Sequence, residues 1–277
     1  MSNVALPDYE TQLAGFHRAF EVELQQILDG LPLTPKMKVL DLACGDGFYT
    51  RRIADRLGPA GSVTGVDVSP AFLAEARKEA ARHTRGAAID FVAASFDNLP
   101  FQDDAFDFVW CAQSLYSLPD PVVVLQHVAR VVRPGGIVAV LENDTMHQVL
   151  LPWPVHLELP LRAAELKALS AQTRNPSKYY VGRRLPAVFA RAGLEPLTMT
   201  TRAIDRQAPF GEAERELLQS YLEQVAERVS PYLDGSLLQE LRRLIDPRSP
   251  AHLLGQPWLT MTWLNVIALA RKRGHRK

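Results

Sequence analysis

The sequence predicts an α/β protein with a doubly wound, mostly parallel seven-stranded sheet under a helical cap, and three observations predict it. Short β-rich runs alternate with segments of helical periodicity across residues 37–142, the pattern of stacked βαβ units. An apolar strand runs into an acid and closely spaced glycines at Val39-Leu40-Asp41-Leu42-Ala43-Cys44-Gly45-Asp46-Gly47. A second strand, Val63-Thr64-Gly65-Val66-Asp67, ends in another acid about 20 residues further on. Such loops sit at the carboxyl ends of parallel strands, where open α/β sheets bind ligands.

Residues 8–29 place Leu13, Phe16, Phe20, Leu24, Ile27 and Leu28 at roughly helical spacing before Gly30, which predicts one N-terminal helix ahead of the sheet. Strands are expected at 37–42, 62–67, 89–93, 106–111 and 136–142, with helices at 47–57, 70–82 and 120–131 between them. Pro134-Gly135-Gly136 is a turn that ends a helix and launches a strand. Beyond residue 143 the pattern loosens, and the prolines of Leu150-Leu151-Pro152-Trp153-Pro154 break any regular helix, so this segment reads as an insertion over the site. A helix at 182–192 and a strand at 195–201, split by Gly193, resume the core. Apolar stripes through Leu217, Tyr221, Val225 and Val229, then through Leu237, Leu238, Leu241 and Ile245, predict cap helices at 211–229 and 235–245. Residues 260–270 supply the last strand. The chain, 1–277, reads as a single domain: a ligand-binding core at 31–143, cap insertions at 144–180 and 202–260, and the rest of the sheet at 181–201 and 261–277.

With 31 basic and 31 acidic residues, no net field draws the chain to nucleic acid. The one basic cluster, Arg271 to Lys277, reads as a solvated chain end. Two cysteines, Cys44 and Cys111, have no partner at metal-ligand spacing and are expected as reduced thiols in a cytoplasmic protein. The first eight residues lack a basic region followed by an apolar run, so no signal peptide is expected, and no uninterrupted apolar run approaches the roughly 18 residues of a membrane span.

The ligand class follows from the loop chemistry. Gly45 and Gly47 let the backbone lie against a ligand, and Asp67 can accept two ribose hydroxyls. The spacing is not the Gly-x-Gly-x-x-Gly that sets a helix N-terminus against a pyrophosphate. Asp41 would repel a phosphate there but would pair with an ammonium, as on the methionine moiety of S-adenosylmethionine. That cofactor, with S-adenosylhomocysteine as product, fits better than NAD, and a dinucleotide oxidoreductase fails on both counts.

Asp41 to Gly47, Gly65-Val66-Asp67-Val68-Ser69, Leu99-Pro100-Phe101 with Phe106-Asp107-Phe108-Val109, and Arg133-Pro134-Gly135-Gly136 occur in an order that resembles the class I S-adenosylmethionine-dependent methyltransferases. The likeness spans residues 37–143 and is nearest the small-molecule branch that includes ubiquinone and menaquinone biosynthesis enzymes. It implies that Asp41, Ala43, Gly45 and Gly47 line the amino-acid and ribose end, that Asp67 holds the ribose with Val68 beside it, and that Ser95 and Phe96 flank the adenine. It also implies a Rossmann-like fold whose last strand runs antiparallel at the far end of the sheet. Two positions depart from the family: Ala43 stands where glycine is usual, and Ala94-Ser95-Phe96-Asp97 lacks the usual acid for the adenine amino group.

A sulfonium methyl is already activated, so the protein must chiefly align a nucleophile and exclude water; a general base is needed only for a protonated nucleophile. Candidate catalytic residues are His147 and Tyr116, with Tyr179 and Tyr180 behind them and Trp110, Gln113 and Trp153 as pocket walls, Gln113 against the cofactor. Each has a structural alternative, a backbone-bonded loop histidine in the case of His147. Tyr49 can face the sulfonium or pack on its helix, and His17 and Arg18 can touch the cofactor carboxylate or stay solvated. Glu142, Asp144 and His147 do not complete a divalent-ion ligand set, so no metal is expected. The expected activity is methyl transfer to an O, N or C nucleophile of a small, partly apolar molecule. The alternative is an adenosyl-ligand-binding regulator or scaffold that transfers no methyl group. Oligomer formation stays open, since an amphipathic stripe can be buried in the cap or across a dimer.

Overall fold

The computed structural model describes residues 10–83, 86–118 and 120–274. The first positions expected of the N-terminal helix, the stretch searched for a signal peptide and the last three residues of the basic tail lie outside the described residues. Two helices, α1 (Glu10–Ala19) and α2 (Glu21–Asp29), stand where the periodicity predicts one. They part at Phe20, whose φ of −125° leaves helical geometry. Phe16 and Phe20 then both pack on Trp263, with ring centroids 5.3 Å away in each case.

The βα alternation follows as expected through β1 (Lys38–Leu42), α3 (Phe48–Leu57), β2 (Ser62–Asp67), α4 (Pro70–Ala81), β3 (Ala88–Ala93), β4 (Phe106–Ala112), α5 (Pro121–Val131) and β5 (Val132–Glu142). Local chemistry sets the helix starts. Ser69 accepts from Phe72 N–H at 3.3 Å ahead of Pro70, and Asp120 accepts from Val122 N–H at 2.8 Å ahead of Pro121, so each helix has a side-chain cap and a proline in its first turn. Pro134-Gly135-Gly136 does not precede β5 but lies within it, as an irregularity between the Phe106–Val132 and Phe108–Ile137 pairs.

Residues 144–180, expected as an insertion, hold a two-residue strand, β6 (Val149–Leu150), and a 17-residue helix, α6 (Val155–Ala171), which corrects the expectation of an irregular segment. Pro152 and Pro154 lie ahead of this helix, Pro154 as its N-cap residue outside the hydrogen-bonded turns, and the helix also accommodates Pro160 in its interior. The chain ends with α7 (Val181–Arg191), β7 (Leu194–Gln207), α8 (Glu212–Val229), α9 (Gly235–Ile245) and β8 (Thr260–Lys272).

The sheet runs β3-β2-β1-β4-β5-β8, with β7 on the other flank of β8 and the short β6 pairing with β8 beyond the end of β5. Strands β3 to β5 are parallel, and β8 is antiparallel to both β5 and β7. The last strand is therefore reversed as expected but lies one position inside the edge, which β7 occupies. Alternate residues of β4 feed two cores: Phe108 and Trp110 join α1, α2, α3, α6, α8 and α9 on one face, while Val109 and Cys111 join α5 and α7 on the other. The cap and the N-terminal helices thus share one core with the sheet, directly over the strand ends.

Candidate active site

Strand order reverses between β1 and β4, and a crevice opens at the carboxyl ends of strands there. It holds a cavity of about 450 Å³. That is within the range of about 300–1,000 Å³ usual for small-molecule sites. A shallower groove between α2 and α3 lies away from the strand ends, and its Arg52 is paired with Glu21.

The loop after β1 forms the floor. Ala43, Gly45 and Gly47 have φ values of 57°, 52° and 74°, so three left-handed residues turn the chain back within five positions. A Cβ on Gly47 would come 3.2 Å from Phe91 and 3.3 Å from Ala76, so this glycine serves close packing of α3 against β3 and α4. Ala43, Cys44 and Gly45 line the cavity and Gly47 does not.

Asp41 is also outside the lining, contrary to the place expected for it. Asp41 is 1% exposed, and its carboxyl accepts from Thr50 Oγ1 at 2.5 Å. Burial raises its pKa to about 7 against the lowering effect of the Thr50 hydrogen bond. Asp41 thus braces α3 against β1 from beneath the loop. Asp67 does reach the cavity. Gly45 N–H donates to Oδ2 at 3.0 Å and Ser69 N–H to Oδ1 at 2.8 Å, so each oxygen is fixed by one backbone donor and retains acceptor capacity.

Val68, Phe96, Gln113 and Tyr116 line the cavity beside Asp67. Ser95 lies outside the lining, and its Oγ accepts from Asp97 N–H at 3.4 Å in a short turn. Gln113 is left-handed, with φ 50°, and its N–H donates to Leu141 O at 2.7 Å. Glu142, at the end of β5, accepts from Leu115 N–H at 2.5 Å and from Asn143 N–H at 3.3 Å. Burial lifts its pKa to about 7. It lines the cavity and anchors the turn that carries Ser114 to Ser117.

Of the proposed catalytic pair, only Tyr116 meets the cavity. His147 lies outside its lining, near Tyr180, and its backbone N–H donates to Asp144 O at 2.7 Å. Burial and the charges of Arg183 and Arg162 lower its pKa. Asp144 is paired with Arg183, so Glu142, Asp144 and His147 do not converge. Among the described residues no three His, Cys, Asp or Glu side chains are grouped to hold a metal ion. Tyr179, Tyr180, Trp110 and Trp153 are not among the lining residues; Trp110 and Trp153 belong to the core. Burial pushes the Cys44 and Cys111 thiols up, so neither is a ready nucleophile.

The roof comes from distant parts of the chain: Leu13, Phe16 and His17 of α1, Tyr49 of α3, Leu217, Tyr221, Gln224 and Arg228 of α8, and Trp263 of β8. Gln224 and Arg228 fall three and seven residues after Tyr221, on the same helical face. Extending the apolar stripe to its polar neighbours would have found them.

A methyltransferase-domain profile matches residues 39–136, the stretch that forms this floor. The chain is 30% identical over 176 residues to the demethylmenaquinone methyltransferase of Lysinibacillus sphaericus, covering 61% of this chain and 74% of that enzyme. This chain belongs to the class I S-adenosylmethionine-dependent methyltransferases. A second match, 36% identical to the demethylmenaquinone methyltransferase of Bacillus cytotoxicus, covers 46% of this methyltransferase and only 52% of the relative. The fold is shared with a solved SAM-dependent methyltransferase from Aquifex aeolicus, at a TM-score of 0.51 and 17% identity over 68% of this chain and 91% of that one. Its cofactor is S-adenosylmethionine. The cavity fits that group: a carboxylate pinned at Asp67, a left-handed backbone turn at Ala43 to Gly45, and an aromatic ring at Phe96 face one space.

Proposed function

We propose that this enzyme methylates an O, N or C nucleophile of a small, partly apolar acceptor, with the cofactor on the floor of the cavity and the acceptor under its aromatic roof. The observation that carries this reading is the placement of Asp67, whose two oxygens are each fixed by a backbone N–H while still lining the cavity. Asp67 would receive the two ribose hydroxyls, with Ala43, Gly45 and Gln113 against the amino-acid end and Val68 and Phe96 beside the adenine. Ser95 and Gly47 are assigned indirect roles, the first in holding the Phe96 turn and the second in seating α3. When bound, the cofactor supplies an electrophilic methyl group on a positively charged sulfur. The chain's own part is to hold the two reactants in line and to keep water out, which the buried roof of Phe16, Leu217, Tyr221 and Trp263 is placed to do. Tyr116, 39% exposed at the rim, is retained as a contact residue, and His147 is not.

The relatives named for demethylmenaquinone support a small-molecule acceptor. Equal numbers of acidic and basic residues argue against a nucleic acid, and among the described residues no helix is long and apolar enough to cross a membrane. The unpaired cysteines fit a reducing, cytoplasmic setting.

Calorimetric titration with S-adenosylmethionine and with S-adenosylhomocysteine tests the assignment. Both are expected to bind the wild type at micromolar order, and Asp67→Ala is expected to weaken both by about tenfold to a hundredfold, the loss of one or two charge-assisted hydrogen bonds. Circular dichroism should show the variant folded. Unchanged affinity in a folded Asp67→Ala would remove the ribose assignment.

A further inference from the structure

Arg228 of α8 lines the cavity with a side chain that is 22% exposed, so its guanidinium is part-buried yet open to that space. Its Nη1 donates to Glu165 Oε1 at 2.9 Å. Among the described residues no acceptor takes the donors of Nε and Nη2, which form the other edge of the guanidinium, a complete planar fork. Glu165 has no exposed surface and is shared, since Arg162 Nη1 reaches its Oε2 at 3.2 Å. One buried carboxylate therefore serves two arginines. The second partner of Arg162, Glu158, is 36% exposed and screened by solvent. The buried part of the cluster thus carries an excess of positive charge, which a negative group entering the cavity would relieve.

The cluster sits away from the acids of the cavity. Arg162 Nη2 donates to Val149 O at 3.3 Å, which ties the arginines to β6. Val149 pairs with Trp263 and Glu142 with Val266, so the β6 anchor lies three residues along β8 from Glu142, about 10 Å at the rise of a strand. Asp67 is at the end of β2, three strand spacings from β5, or roughly 14 Å across the sheet. Asp67 and Glu142 are the only carboxylates among the lining residues. A cation is favoured at the floor, and an anion at the arginine end.

We propose that Arg228 is a specificity-determining residue that holds a carboxylate on the methyl acceptor, in a two-point contact through Nε and Nη2, and so turns the reacting end of the acceptor toward the floor. A carboxylate matches the fork in shape and the excess charge in size. Glu165 holds the guanidinium in place beforehand, so little side-chain freedom is lost on binding. The assignment rests on the methyl-transfer reading above.

The full chain, saturated with S-adenosylhomocysteine, is titrated calorimetrically with benzoate and with benzamide, which are alike in shape and differ in charge. The wild type is expected to bind benzoate at least tenfold more tightly than benzamide, as one charge-assisted contact allows. Arg228→Gln should erase that preference by weakening benzoate alone, and Arg228→Lys, which keeps the charge without the fork, should restore part of it. Neither variant should change S-adenosylhomocysteine affinity, which also reports that each is folded. A purely structural arginine would not alter the ratio of the two ligands. Equal binding of benzoate and benzamide to the loaded wild type, binding of neither, or an undiminished preference in Arg228→Gln would overturn the proposal. So would a folded Arg228→Gln that loses S-adenosylhomocysteine tenfold, because the arginine would then serve the cofactor's own carboxylate. Failure of S-adenosylhomocysteine to bind the wild type would instead bring down the cofactor reading, and this one with it.

Discussion

At Asp41 a single buried carboxyl ties the cofactor loop to the pH dependence of the fold. In an unfolded chain an aspartate ionises near 3.9, at about 1.4 kcal/mol per pKa unit. In the folded protein burial holds the proton on Asp41 up to about 7, despite the hydrogen bond from Thr50. Between those two values the folded state binds more protons than the unfolded one, so stability falls as pH rises through the window and the cost is complete above it. For Asp41 alone that cost is on the order of 4 kcal/mol. Glu142, also raised to about 7, acts in the same direction. Asp41→Asn keeps an oxygen for Thr50 and removes one titration. Its advantage over the wild type in urea unfolding is expected to grow from near zero at pH 4 to a few kcal/mol at pH 8, and parallel pH profiles would refute the buried-acid account. Ala43 is a second strained point in this loop, since its φ of 57° carries a Cβ into the left-handed region. A non-glycine residue there costs about 1–2 kcal/mol, partly offset by the greater freedom of glycine in the unfolded chain. Ala43→Gly should therefore move the urea midpoint upward by an amount worth about 0.5–1 kcal/mol, and a lowered midpoint would show that the alanine methyl packs.

At the scale of elements, α6 and α8 are joined through Glu165, whose side chain has no exposed surface. Arg162 of α6 donates to one oxygen at 3.2 Å and Arg228 of α8 to the other at 2.9 Å. Breaking such a buried pair by removing one partner leaves charge unpaired and typically costs about 3–5 kcal/mol. Glu165→Ala is expected to lose that much in denaturant unfolding. A loss below about 1 kcal/mol would mean that the arginines find solvent once released. Since Arg228 also lines the cavity, the same ion pair holds part of its roof. α6 is not legible in the sequence because prolines surround and enter it: Pro152 and Pro154 read as breakers although they only flank the helix, and Pro160 lies within it. α8 was legible as an element, since Leu217, Tyr221, Val225 and Val229 repeat at helical spacing, yet the pattern does not distinguish a stripe that fills a core from one that also faces a ligand.

For the whole molecule, the same division explains which half of the site could be read in advance. The floor depends on local chemistry, on glycine or alanine in left-handed turns and on an acid at a strand end, and of the residues the motifs single out Ala43, Gly45, Asp67 and Val68 line the cavity while Asp41, Gly47 and Ser95 lie outside its lining. The roof depends on contacts between α1 and α8, such as the Arg18–Glu216 ion pair across 198 positions, and no short motif records those. Its sealing therefore rests on long-range packing at one end of the chain. Arg18–Glu216 is exposed and contributes little, whereas Phe16 and Phe20 on Trp263 and the Arg206–Glu23 pair hold α1 and α2 more firmly. Elements that cover a ligand are drawn from the less stable part of a fold and gain protection when the ligand adds contacts. Leu13 and His17 face the cavity, and a Cβ placed on Gly45 would meet Leu13 at 3.5 Å, so a ligand on the loop lies directly beneath α1. Amide hydrogen exchange is accordingly expected to be faster in α1 than in β1, β4 and β5 of the free protein. Saturation with S-adenosylhomocysteine should slow α1 and the 43–47 loop together by about tenfold or more, leaving α5 and α7 unchanged. Slowing confined to the loop would show that α1 closes independently of the cofactor, and uniform slowing would show that the roof and the sheet open only as one unit.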